Sequence, residues 1–126
     1  LTAALFSLRE LTENNITLVF GCGGGRDRFK RPIMGEIAEN FADFIIITDD
    51  NPRNEDSNKI RRSILETCPS AIEIPNRKKA IITAINKGEK GDSILIAGKG
   101  HEKFQIIGDK KIPFSDQEII IELIGN

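Results

Sequence analysis

The chain has 126 residues, 29% of them charged and 39% apolar, and its 18 basic and 19 acidic side chains leave a net charge of −1. That length supports one domain with a real core, and that composition is globular rather than disordered. Acids and bases are interspersed and Tyr and Trp are absent, which argues against nucleic acid as a partner, since that needs a basic stripe and stacking rings.

No stretch approaches the roughly 20 apolar residues of a membrane span, so no membrane partner is expected. Cys22 and Cys68 form no CxxC or zinc spacing and read as reduced thiols of a cytoplasmic protein. The first residue is Leu1 rather than Met, so the chain reads as a piece of something longer.

The opening "LTAALFSLRELTENN" predicts an amphipathic helix with Leu1, Leu5, Leu8 and Leu11 on its inner face. It has neither the basic start nor the cleavage site of a signal peptide. "ITLVFGC" (16–22) predicts a buried strand ending at glycine. "GGGRDRFKRP" (23–32) is a loop, and a helix is expected over about 33–41 with Ile33, Ile37 and Phe41 inward. "DFIIIT" (43–48) lacks polar alternation, as a strand of a parallel sheet covered on both faces does.

A third helix starts at Asp56 or Ser57, either of which can cap it, and points Ile60, Ile64, Leu65 and Cys68 inward. "AIEIP" is a short strand, "RKKAIITAINKG" a helix closed by Gly88, and "SILIAG" another strand. "KFQIIGDKKIPF" predicts a hairpin turning at Gly108 and Asp109. "SDQEIIIELI" opens with a capping box, Ser115 to Glu118, and predicts a final helix. Alternating strands and helices define an α/β fold: a Rossmann-like three-layer sandwich with a mostly parallel sheet and a C-terminal β-hairpin. Ligands of such sheets bind beyond the carboxyl ends of the strands. The loops at 21–32, 49–56 and 98–104 should therefore converge on one edge.

Each of these loops carries chemistry. "GCGGGRDRFKRP" suggests a phosphate cradle, yet it is not GxxxxGK[ST], and Arg26 stands where GxGxxG needs its third glycine. Two readings stay open for it: Arg26, Arg28, Lys30 and Arg31 suit an anionic ligand, or form a solvated basic turn. In "DDNPR", Pro52 stiffens the loop and biases Asn51 to extended geometry. Arg53 offers a planar fork to a carboxylate, which a simple turn does not require. In "AGKGHE", Gly98 and Gly100 admit a ligand close to the backbone, and Glu102 can hold an ammonium group. His101, the only histidine, has no Ser/His/Asp set or metal spacing around it and reads as structural or as an orienter. Together these give a carboxylate reader (Arg26, Arg53), an ammonium reader (Glu102, with Asp50) and neutral hydrogen-bonders (Asn51, Gly98). That set suits an α-amino-acid zwitterion.

"FGCGG-RD---KRP-MG", "TDDNPR-ED" and "AGKGHE", in this order and spacing, resemble the C-terminal domain of the Mur ligases that add the third peptide residue to the peptidoglycan precursor. The resemblance spans nearly the whole chain. It implies ATP-dependent amide ligation: a carboxylate of a UDP-MurNAc-dipeptide becomes an acyl phosphate, which the amine of the incoming amino acid attacks. Members with DNPR resemble the meso-diaminopimelate-adding enzymes, whereas lysine-adding members differ there. By resemblance, Arg26, Asp50, Asn51, Arg53, Gly98 and Glu102 would hold meso-diaminopimelate. Asp27, Arg28, Lys30 and Arg31 would face ATP.

Diaminopimelate differs from lysine by a carboxylate beside its far amine. If Arg53 pairs with that group, a bound lysine leaves a guanidinium unpaired, at roughly 3–5 kcal/mol where it is buried. The family's P-loop, Mg²⁺ ligands and UDP-sugar pocket belong to preceding domains, so the resemblance implies a catalytically silent chain. Gly25, Phe29 and Ser57 depart from the family's usual Asp, Gly and Pro. The first two touch the ATP-facing loop, and Asp56 can still cap where Ser57 replaces proline. The competing readings are a free-standing amino-acid-binding module and a sibling Mur or polyglutamate ligase domain for another amino acid.

Overall fold

The computed structural model describes residues 2–24, 28–97, 104–107 and 110–113. Helix α1 (Thr2–Leu11) leads into strand β1 (Ile16–Phe20), followed by α2 (Lys30–Phe41), β2 (Phe44–Ile47), α3 (Ser57–Leu65) and β3 (Ile72–Glu73). Then come α4 (Arg77–Lys87), β4 (Ser93–Ile96) and the strands β5 (Phe104–Ile107) and β6 (Lys110–Pro113). The sheet order is β3-β2-β1-β4, every pair parallel, while β5 and β6 pair antiparallel as a separate hairpin. The expected α/β sandwich is therefore present. The hairpin's turn residues and the expected C-terminal helix lie outside the described residues.

Period-two alternation along β1 and β2 divides the core. Ile16, Leu18, Phe20, Ile45 and Ile47 face one way, with Leu5 of α1, Ala38 of α2 and Ile64 of α3 packed among them. Val19 and Ile46 face the other way, onto Ala80, Ile81 and Ala84 of α4. Helices thus cover both faces, which explains why "FIII" shows no polar alternation.

Two helical faces differ from expectation. Leu11 is 81% exposed, while Thr12 is buried and bonds through Oγ1 to the Leu8 carbonyl oxygen and to Ser93 Oγ. At about 100° per residue, position 12 falls within about 20° of Leu5 and position 11 about 120° away. The leucine spacing drifted off the face. Helix α2 begins at Lys30, three residues early, with Pro32 in its first turn, where a proline costs no hydrogen bond. It buries Arg31, Gly35 and Ala38 and leaves Ile33 exposed. A Cβ on Gly35 would stand 2.4 Å from the Ile64 carbonyl oxygen. The bare backbone lets α2 sit directly on α3, and that close approach selects the buried face.

Helix α3 behaves as expected. Asp56 is its cap, accepting from the Asn58 amide at 2.9 Å, and Ile60, Ile64 and Cys68 are buried.

Candidate functional site

Chain order and sheet order disagree at one point. From β1 the chain steps outward to β2 and β3, then returns to the other side of β1 to form β4. A crevice opens at such a switch point, beyond the carboxyl ends. The chain leaving β1, β2 and β4 emerges there at Gly21, Thr48 and Ala97. Gly98, His101 and Glu102, like Arg26 and Asp27, lie outside the described residues; the remaining predicted site residues are placed.

The first two loops are interlocked. The Gly24 amide donates to the Asn51 carbonyl oxygen at 2.7 Å, and Arg53 Nη1 donates to the Gly24 carbonyl oxygen at 3.0 Å. A Cβ on Gly24 would fall 1.7 Å from the Pro52 carbonyl oxygen. This glycine is needed so that one loop can lie against the other. Arg53 has φ +55°, alone among the described non-glycine residues in the left-handed region. That conformation costs roughly 1–2 kcal/mol and persists only where its surroundings impose it. The bond to Gly24 is one such restraint.

Asp50 and Asn51 are 8% and 6% exposed, and Asp50 Oδ1 accepts from the Asn51 amide at 2.9 Å. Both side chains thus lie buried where the loop leaves β2, with the Asp50 carboxylate engaged on the loop's own main chain. The sequence brought Asp50, Asn51 and Arg53 together as neighbours. The fold adds the glycine-rich turn beside them.

A brace that sequence reasoning missed ties the same loops together. Arg31, 4% exposed, donates Nη1 to Glu55 Oε2 and Nη2 to Glu55 Oε1, both at 3.0 Å, and Nη2 also reaches the Gly23 carbonyl oxygen at 3.2 Å. This is the fork-on-fork geometry that makes arginine–carboxylate pairs strong. Its Nε has no hydrogen-bond partner among the described residues. Arg28, largely exposed, approaches the same carboxylate at 3.6 Å, and Lys30 is exposed beside it. Of the basic cluster, Arg31 therefore points into the protein while Arg28 and Lys30 stand at its surface.

Behind the loop sits a second network. Arg61, 5% exposed, donates Nε to Glu73 Oε2 at 2.6 Å, and its Nη groups bond Asp49 and Asn58. Asp49 is the first acid of "DDNPR" and is thus held from α3. Cys22 lies in the glycine-rich turn, and burial pushes its thiol up to about 11, with Arg31 opposing and Asp50 adding. It therefore stays a protonated thiol at neutral pH. Among the described residues, no three His, Cys, Asp or Glu side chains converge as a metal would require. No described helix is long and apolar enough to cross a membrane.

Glu55, Arg61 and Arg77 were not singled out from the sequence. The available signal was sign: Arg77 places a cation in the first turn of a helix, where the macrodipole disfavours it.

A parallel α/β sheet with interlocked glycine-rich and "DNPR" loops at its switch point defines a domain of the open, Rossmann-like α/β class. Residues 1–100 match the family model described as "Mur ligase, glutamate ligase domain", and the chain belongs to that family. It is 54% identical over 114 residues to the UDP-N-acetylmuramoyl-L-alanyl-D-glutamate--2,6-diaminopimelate ligase of Mesorhizobium japonicum, covering 90% of this chain and 24% of that protein. It is 53% identical over 126 residues to the ligase of the same name from Bradyrhizobium diazoefficiens, covering 100% and 26%. A solved structure of a protein with that name superposes with a TM-score of 0.92 at 36% identity, over 98% of this chain and 26% of that one. The chain thus spans about a quarter of the length of these relatives.

Proposed function

We propose that this chain is the amino-acid-recognising domain of an ATP-dependent ligase that joins meso-diaminopimelate to UDP-MurNAc-L-Ala-D-Glu in peptidoglycan biosynthesis. The supporting observation is the interlocked "DDNPR" loop, with Asp50 and Asn51 buried and Arg53 fixed in a left-handed conformation. It occurs in a chain about half identical to ligases named for diaminopimelate.

In this reading Arg53, with Arg26, takes a carboxylate of the incoming amino acid. Glu102 and Asp50 take an ammonium, and Asn51 and the Gly98 backbone supply neutral hydrogen bonds. Arg28 and Lys30, with Asp27, face the nucleotide. Arg31, engaged on Glu55 and Gly23, acts by bracing that stretch, and His101 orients the loop that carries Glu102.

The reaction takes the terminal phosphoryl group of ATP onto the precursor's carboxylate, giving ADP and an acyl phosphate. The amine of diaminopimelate then attacks the acyl carbon; a C–N bond forms, the C–O bond to phosphate breaks, and the amine loses a proton. ATP and Mg²⁺ would be held mainly by a central domain of the longer protein, and the UDP-sugar by an N-terminal one. This domain's share is to place and select the amine, and alone it would bind without ligating. Because ATP is a substrate, the ligase would work in the cytoplasm.

The test is to supply the longer protein with ATP, Mg²⁺, UDP-MurNAc-L-Ala-D-Glu and meso-diaminopimelate, and follow product mass and ADP release. The reading expects one ADP per tripeptide formed. No amide product, or a product with L-lysine but none with diaminopimelate, contradicts it.

A further inference from the structure

Arg77 is the first residue of α4, directly behind Asn76, whose side chain caps the helix by accepting from the Lys79 amide at 2.9 Å. A cation there meets the positive pole of the helix macrodipole. Arg77 is also 1% exposed and heads the fully buried side chains by volume. Burial and position both disfavour it, so the gain must come from what its guanidinium holds.

Its Nη2 donates to the Ala97 carbonyl oxygen at 3.0 Å, and its Nη1 lies 3.4 Å from the Asp49 carbonyl oxygen. Asp49 is the root of the 49–56 loop, and Ala97 is the last residue before Gly98. These two roots leave β2 and β4, which are not neighbours, since β1 lies between them. Strands two places apart are separated by roughly 9–10 Å, and no ladder hydrogen bond joins them. A planar guanidinium with diverging donors can span the carbonyls of both roots, whereas an ammonium is a compact point charge. The chain entering the same helix is tied to the chain leaving β2 a second time, because the Pro75 carbonyl oxygen accepts from the Asp49 amide at 3.3 Å and from Thr48 Oγ1 at 3.1 Å.

We propose that Arg77 is a positioning residue for amino-acid selection, holding the 49–56 loop and the chain entering Gly98 at a fixed separation; this rests on the functional reading above. It touches no reacting atom. Its effect is the spacing between the groups that read opposite ends of the amino acid, and a displacement of about 1 Å at such a site can cost about 10²-fold.

The experiment uses the longer ligase with Arg77→Lys and Arg77→Met, measuring KM for all three substrates and thermal unfolding. The expected result for Arg77→Lys is a KM for meso-diaminopimelate raised about tenfold or more, with KM for ATP and for the UDP-dipeptide within about twofold of wild type. Preference for diaminopimelate over L-lysine falls in parallel, and Arg77→Met is worse on both measures. Unchanged KM values with a lowered melting temperature overturn the proposal, as does an equal rise in all three. Failure of both variants to fold also overturns it, since Arg77 is then a folding residue. A wild-type ligase that makes no product from diaminopimelate contradicts the functional reading instead, so the two failures are told apart.

Discussion

The two ends of the same parallel sheet bury their charged side chains to different depths, although both signs hold main chain at each: Arg9 bonds the Thr12 and Asn14 carbonyl oxygens at the amino edge, and Asp50 holds the Asn51 amide at the carboxyl edge. At the amino edge carboxylates cap main-chain amides. Asp43 Oδ2 accepts from the Ile16 amide at 2.8 Å, and Asp92 takes the Asn15 and Glu89 amides at 3.0 and 2.9 Å. At the carboxyl edge guanidiniums bond main-chain oxygens: Arg31 on Gly23, Arg53 on Gly24, Arg77 on Asp49 and Ala97. The amino-edge pair of Arg9 and Asp43 is nearly half exposed, whereas Arg31, Arg61 and Arg77 are almost wholly buried. Exposed caps finish strands cheaply. Buried arginines are an expensive way to order loops, and they occur at the edge where the amino acid is proposed to bind.

The contrast is broken most severely by removing one partner of a buried pair. Glu55→Ala leaves Arg31 buried without its carboxylate and should cost about 3–5 kcal/mol, read from urea unfolding. Arg9→Met removes the exposed pair with Asp43 and two bonds to the Thr12 and Asn14 carbonyl oxygens, and should cost about 1–2 kcal/mol, little of it from the exposed pair. Equal costs at the two edges would erase the distinction. Gly24→Ala is next: its Cβ cannot coexist with the Pro52 carbonyl oxygen, so the interlocked loops must part, at about 1–3 kcal/mol.

Arg53→Gly should barely change stability. Relief of the left-handed backbone, about 1 kcal/mol, offsets loss of the bond to Gly24, also about 1 kcal/mol. A large loss in the urea midpoint would mean that Arg53 is chiefly structural.

A further small effect belongs to the amino edge and to pH. The Glu89 and Asn15 amides hold the Asp92 carboxyl below its ordinary value of 3.8. A depressed native value means that the unfolded chain binds the proton more readily. The stabilisation is thus present above about pH 4 and is lost as pH falls through the native value. Asp92→Asn should flatten that part of the melting-temperature profile below about pH 4. An unchanged acid limb would show that Asp92 does not contribute to it.

What the sequence made legible follows from range. The uninterrupted apolar run "FIII" declares a buried parallel strand locally and "SILI" a half-buried one, and Asp50, Asn51 and Arg53 lie close together in the chain. Helix faces were less legible. Thr12 displaced Leu11 because seven residues, not six, close two turns, and Gly35 rather than Ile33 faces α3 because close backbone approach outweighed apolar area. The partners of Arg31, Arg61 and Arg77 were not legible at all. A guanidinium's partner is a tertiary choice: Glu55 is 24 residues from Arg31 and Ala97 is 20 from Arg77.

The most direct measurement compares kcat/KM for meso-diaminopimelate and for L-lysine in the longer ligase, wild type against Arg53→Gly. A site built to bond a carboxylate rejects the analogue lacking it by about 10⁴-fold. The account predicts discrimination of that order in the wild type and collapse to about tenfold in the variant, at nearly equal stability. Discrimination that survives loss of the Arg53 side chain would contradict it, and the selecting group would then have to be sought outside the "DNPR" loop.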